Sequence, residues 1–191
     1  MKLSSLLTFL FLSVTLGTNA QTKPSKLSVK PGLQLDYEVI SQGQAMPLTT
    51  KVATVSDAEI ILDYDFMGTT TGKFVNTKNN LEKGSSFNWD QPEAGEERRL
   101  GEDQTILMAS RKFLKDLKSL KKGTYDGMDF TWKAVPKGEE IVVDGKTIDA
   151  VYAENSSGST RMWILNDDSY PVLLKITGTA AGIDLMVKSI K

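Results

Sequence analysis

The sequence predicts a mainly β fold: a curved antiparallel sheet, half-barrel-like and of about ten strands, with one amphipathic helix packed on it. Three observations carry that expectation. Apolar residues recur with period two in run after run, clusters of turn-forming residues separate the runs, and one segment alone shows the helical period.

Taken in order, the first segment is not part of the fold. Met1-Lys2 is followed by the apolar stretch Leu3–Leu16 and then by Gly17-Thr18-Asn19-Ala20. A short basic start, an apolar run and small residues before Ala20 form the three-part layout of a secretory signal peptide, cleaved after Ala20. The stretch is too short and too often interrupted by Ser and Thr to favour a membrane anchor. Residues 21–32 read as a flexible leader, and residues 33–191 as a single β-rich domain. No later segment is apolar for long enough to span a bilayer.

Strands are expected where Leu33, Leu35, Tyr37 and Val39 alternate with polar residues. The same holds for Ile60–Phe66, Met128–Ala134 and Ile183–Val187. Turn signals lie between them at Ser41–Gln44, Asn79-Asn80, Asp126-Gly127, Ser156–Gly158 and Gly178–Gly182. Asp144-Gly145 joins Glu140–Val143 to Lys146–Ala150 as a two-residue type I′ hairpin signal. The helix is Ser110–Lys122, with Phe113, Leu114, Leu117 and Leu120 on one stripe, Ser110 as N-cap and Gly123 as the stop. Arg161–Leu165 and Val172–Leu174 are apolar on both faces. Either the helix covers one side there and strands or loops the other, or the sheet encloses an apolar cleft.

Composition excludes whole classes of chemistry. The chain has 191 residues, no cysteine and no histidine. Thiolate and Ser-His-Asp catalysis, imidazole-bound zinc and iron–sulfur clusters are therefore out of reach, and no cofactor or metal is expected. A net charge of −1 from 23 basic and 24 acidic residues argues against nucleic acid as a partner.

The remaining motifs are weak. Asp63 and Asp65 share a strand face, about 6–7 Å apart, the spacing of a carboxylate pair in glycoside hydrolysis. A solvated strand face carrying charge is the preferred reading. Asp63–Gly68 starts like a calcium loop but has Met67 and Phe74 where ligands belong. Gly145-Lys146-Thr147 lacks the leading glycine of a phosphate loop, and Ser119–Lys122 lacks the partner motifs of a serine acyl-enzyme. Asn155-Ser156-Ser157 fits a glycosylation acceptor but reads as a loop, and Glu96-Glu97-Arg98-Arg99 reads as local ion pairs. The aromatics Trp89, Trp132, Trp163, Phe66, Phe74, Phe113 and Phe130 are core candidates. They would also be the first residues to line an apolar cleft, and Phe66, Phe113, Phe130, Trp132 and Trp163 are taken as the ligand-lining set.

Two segments carry a resemblance. Glu96–Leu117, with Arg99, Thr105, Leu107, Ser110-Arg111 and Asp116-Leu117, is similar to a stretch of exported Bacteroidetes-type proteins of unknown function. So is Trp163-Ile164-Leu165-Asn166 followed by Tyr170–Lys175. The architecture this implies resembles the lipoprotein-carrier (LolA/LolB-like) half-barrel, although those carriers have more helix. The expectation is a periplasmic or secreted, monomeric, non-enzymatic protein that binds an apolar ligand (lipid or lipoprotein) or an envelope partner. A carboxylate-only hydrolase and a purely structural module are the alternatives. A cleft of a few hundred Å³ lined by aromatics would favour the binder.

Export is directly testable. Arginine at both Leu10 and Leu12 should leave the full-length precursor in the cytoplasm, because charge in the apolar run opposes insertion. N-terminal sequencing of the exported wild type should begin at Gln21.

Overall fold

The computed structural model describes residues 24–191; the expected signal peptide and the start of the leader lie outside them. The first four strands are β1 (Gln34–Ser41), β2 (Gln44–Val55), β3 (Glu59–Phe66) and β4 (Thr70–Thr77), an antiparallel meander. A long crossover follows. It contains α1 (Lys78–Lys83), β5 (Ser86–Phe87), β6 (Glu97–Arg99), β7 (Gln104–Thr105) and α2 (Arg111–Leu120). The chain then forms β8 (Lys122–Tyr125), β9 (Met128–Lys133), the small hairpin β10 (Val142–Val143) and β11 (Lys146–Thr147), then β12 (Ala150–Asn155), β13 (Arg161–Leu165), β14 (Leu173–Thr177) and β15 (Ile183–Ile190).

Eleven strands form one sheet in the order β6-β4-β3-β2-β1-β15-β14-β13-β12-β9-β8. It is thus two meanders joined where the first strand pairs with the last. Only β6 on β4 is parallel in that sheet, and the sheet is not closed into a barrel. Irregularities between Asp36 and Tyr37, Val52 and Thr54, and Trp163 and Ile164 shift the register, as bulges that bend strands do.

Alternation decides the faces. Tyr37, Leu48 and Phe66 stand side by side on the inner face, as do Val39 and Leu185. Over the β8–β9 end of that face lies α2, which buries Phe113, Leu114 and Leu117. Phe113 meets Tyr125 at 4.8 Å and Phe130 at 5.8 Å between ring centres. The second face of the doubly apolar strands is covered by a loop and hairpin. Ile141, Val143 and Ile148 are buried there, and Gly138–Val142 abuts Arg161, Lys175 and Met186. Of the expected leader, Ser25 pairs with the β11 end through Thr147 O and Asp149 N, and Val29 is buried. Its alternating Leu27 and Val29 give this stretch something to dock.

The helix expectation needs two corrections. There are two helices, because the polar segment after Thr77 forms α1 with Thr77 as N-cap; it carries a single apolar residue, Leu81, and so shows no period. Ser110 does cap α2, accepting from Phe113 N at 3.3 Å. The left-handed residue that ends α2, however, is Lys121 (φ 61°), two residues before Gly123. Gly123 is required for another reason: a Cβ there would stand 2.8 Å from the Phe113 ring. Asp126-Gly127 and Asp144-Gly145 both have positive φ at both positions, as type I′ hairpins require.

Where the two meanders meet, Asp36 collects Gln34 Nε2 (2.8 Å), Thr49 Oγ1 (3.0 Å), Ser189 Oγ (2.5 Å) and Lys191 Nζ (2.7 Å). Burial pushes its carboxyl up, but the bonds from Lys191, Ser189, Gln34 and Thr49 outweigh that and hold it well below the usual carboxylate range.

Two predictions follow from this packing. Leu117→Ala should cost about 2–5 kcal/mol in chemical denaturation, and Lys115→Ala, on the exposed side of the same helix, no more than about 0.5 kcal/mol. The second concerns pH. A carboxyl with a lowered folded-state value stabilises the fold above the unfolded value of about 3.9, and that contribution is lost as pH falls through the folded value. Glu96, Glu102 and Glu154 are shifted down as well, and the buried tyrosines are shifted up, away from neutrality. Stability should therefore be flat from about pH 6 to 8 and fall below about pH 4. Asp36→Asn should be less stable than wild type at neutral pH, with the gap narrowing as the acid limb is descended.

Candidate functional site

The inner face is filled unevenly. Its β8–β9 end lies under α2, whereas its β1–β4 end is closed only by the crossover chain. Within that crossover, Thr105–Ser110 runs across the interior, where every unpaired backbone group would be costly. Asn76 on β4, fully buried, solves this for Ile106: its Oδ1 accepts from Ile106 N (3.0 Å) and its Nδ2 donates to Ile106 O (3.1 Å). Leu173 N donates to Leu107 O, and Ala109 N to Pro171 O, both at 2.9 Å. Thr105 Oγ1 donates to Met108 O (2.5 Å) and pairs with Tyr125 OH (2.6 Å). These contacts hold Leu107 at φ 57°, a left-handed conformation unusual for leucine.

The remaining gap is an apolar cleft of about 170 Å³. Its floor is Val39, Leu48, Phe66, Phe74 and Leu185, its back is Ile106 and Leu107, and its roof is the strap Phe87–Pro92. Larger depressions beside Arg111 and Lys118, under Gly138–Val142, and beside Asp63 and Glu96 are more open grooves with charged rims.

The strap is held at both ends. The Asp126 carboxylate, on the β8–β9 turn, accepts from Phe87 N (3.2 Å) and from Trp89 Nε1 (3.0 Å). Arg98, on β6, uses all five of its donors. Nε and Nη2 bridge the Glu96 carboxylate at 2.7 and 2.8 Å, Nη1 reaches Asn88 Oδ1 (3.1 Å) and Asp90 O (2.8 Å), and Nη2 also reaches Gln91 O (2.9 Å). Arg98 holds the Glu96 carboxyl below its ordinary range. Tyr64 OH donates to Glu93 O at 2.5 Å. A row of rings, Phe113–Tyr125–Phe87–Trp89, links α2 to the cleft mouth at centroid spacings of 4.8, 4.7 and 5.3 Å.

Of the five residues expected to line a cleft, Phe66 lies in this one. Phe113, on α2, and Phe130, on β9, are buried against each other. Trp132 is half-buried, with Lys121 Nζ 3.3 Å from its ring centre. Trp163 lies on the other face of the sheet, beside Tyr152 at 4.7 Å and under Lys175 Nζ at 4.2 Å. The structure therefore does not bring the five together.

Asp63 and Asp65 also point away from the cleft. The neighbours of Asp63 in the sheet are Lys51 and Lys73, those of Asp65 are Thr49 and Thr71, and Oδ1 of Asp65 is buried without a hydrogen-bond partner. Among the described residues no cluster of three or more Asp or Glu side chains could hold a metal ion, and no helix is long and apolar enough to cross a membrane.

Sequence reasoning missed the strap and its anchors. Trp89 and Phe74, among the seven aromatics expected to be first at an apolar cleft, do line this one, but Asp126 reads in sequence as a turn residue and Arg98 as a local ion pair. The available signal was an aromatic beside Asp90-Gln91-Pro92, followed by a compact acid–arginine cluster. Comparison with protein-family models, curated proteins and solved structures gives no match.

If Arg98 seats the strap, Arg98→Lys should loosen it, because an ammonium cannot reproduce the five-donor fork. Amide hydrogen exchange in residues 88–95 should accelerate about tenfold, the equivalent of one lost hydrogen bond of about 1.4 kcal/mol, and residues 111–117 should be unaffected.

Proposed function

We propose that this protein is an exported, non-enzymatic envelope protein that binds a small apolar group in the cleft between its sheet and the Phe87–Pro92 strap. The observation that carries this reading is the cleft: apolar on floor and back, roofed by a hydrogen-bonded strap, and partly open to solvent. Its size sets the scale of the ligand. Pockets for drug-sized molecules begin at about 300 Å³, whereas a cavity of about 150 Å³ is enough for benzene. The group received is therefore one aromatic ring or a short branched tail, rather than the full acyl chains of a lipoprotein. A lipid or lipoprotein can engage only through such an apolar end. This narrows the expectation of a lipid or lipoprotein ligand.

The carboxylate-hydrolase alternative draws support from one feature, the unpartnered Asp65 oxygen, but its partner acid stands between two lysines on the face opposite the cleft. The reading as a binder has the geometry in its favour.

The test uses a soluble neutral probe, 3-phenylpropan-1-ol, titrated into the protein by calorimetry. Binding is expected, and Val39→Phe, which places a ring in the cleft, should weaken it at least about tenfold (about 1.4 kcal/mol) while leaving the cooperative unfolding transition in place. Absence of binding, or equal binding by both proteins, would refute the cleft as the site.

A further inference from the structure

The cleft is apolar, but its mouth has a sign. Among the residues that line it, Asp90 is the one ionisable side chain, and no Lys or Arg is present. Asp90 is exposed, forms no ion pair within the described residues, and spends one oxygen, Oδ2, on Asn88 Nδ2 at 2.9 Å. Beside it, the Asp126 carboxylate holds Phe87 N and Trp89 Nε1, and Glu96 is bridged by Arg98 through two bonds. The single cation among them is Arg98, and its five donors are already committed to Glu96 and to the strap itself. With the Arg98 charge paired to Glu96 and no Lys or Arg in the lining, an incoming carboxylate or phosphate would meet Asp90, a charge of its own sign. An incoming ammonium would meet the free side of Asp90, with the Trp89 ring one residue away at the same rim.

We infer that, granted the cleft is the binding site, its ligand is an apolar amine: an aromatic or short branched tail seated between Val39, Leu48, Phe66 and Leu185, with a cationic nitrogen held at the mouth by Asp90. This rests on the proposed binding function and gives it a chemical class. Anionic amphiphiles, free fatty acids among them, are disfavoured by charge even where their tails would fit.

The experiment is a matched series with one tail and three ends: 3-phenylpropylammonium, 3-phenylpropan-1-ol and 3-phenylpropanoate. Each is titrated into the full chain at low ionic strength by calorimetry. The amine should bind about fivefold more tightly than the alcohol, and the carboxylate more weakly than either, magnitudes typical of a rim ion pair with a cation–π contribution. Asp90→Asn should bring the amine's affinity down to that of the alcohol, and added salt should narrow the same gap. A carboxylate that binds as well as the amine, or an amine preference that survives in Asp90→Asn, overturns the inference while leaving the cleft as a site. Binding by none of the three overturns the cleft reading and the inference with it.

Discussion

The crossover from one edge of the sheet to the other has to pass through an apolar interior, and the hydrogen bonds that make this tolerable fix the rest of the molecule. Two meanders that meet at β1 and β15 leave β4 and β8 near opposite edges, so Lys78–Lys121 must traverse the inner face. Asn76 satisfies both backbone groups of Ile106, Leu173 and Pro171 take the next pair, and Thr105 ties the turn to Tyr125. Each such group left unpaired would cost about 1–3 kcal/mol. With the crossover pinned at this point, α2 has room on the β8–β9 end only. The β1–β4 end is left to the thinner strap, and the cleft is what the strap does not fill.

The strap differs in kind from the core. Its roof over the cleft depends on the part-buried charged groups Asp126 and Arg98 more than on buried apolar area. Such segments lie at the low end of local stability and can open without unfolding the sheet. On the proposed reading, ligand entry would need a motion of only these few residues.

Sequence showed what is periodic and local. The strands at Leu33–Val39, Ile60–Phe66, Met128–Ala134 and Ile183–Val187, the stripe of α2 and both Asp-Gly turns were legible because each is encoded within a few neighbouring residues. Features set by distant partners were not. Gly123 looks like a helix stop until the Phe113 ring is seen resting on it. Trp163 looks like a cleft residue until the register turns it to the opposite face, beside Tyr152. Arg98 looks like a surface ion pair until its fork is found on Asn88, Asp90 and Gln91. Asn76 gives no signal at all, since its role exists only once Ile106, thirty residues on, lies beside it.

The account stands or falls on where an apolar molecule goes. The direct measurement is a methyl and indole NMR titration with 3-phenylpropan-1-ol. The account predicts concentration-dependent shifts at Val39, Leu48, Leu185 and the Trp89 indole, with Leu114, Leu117 and Ile164 unmoved. Shifts centred beneath α2 or around Trp163, with none at Val39 and Trp89, would contradict it.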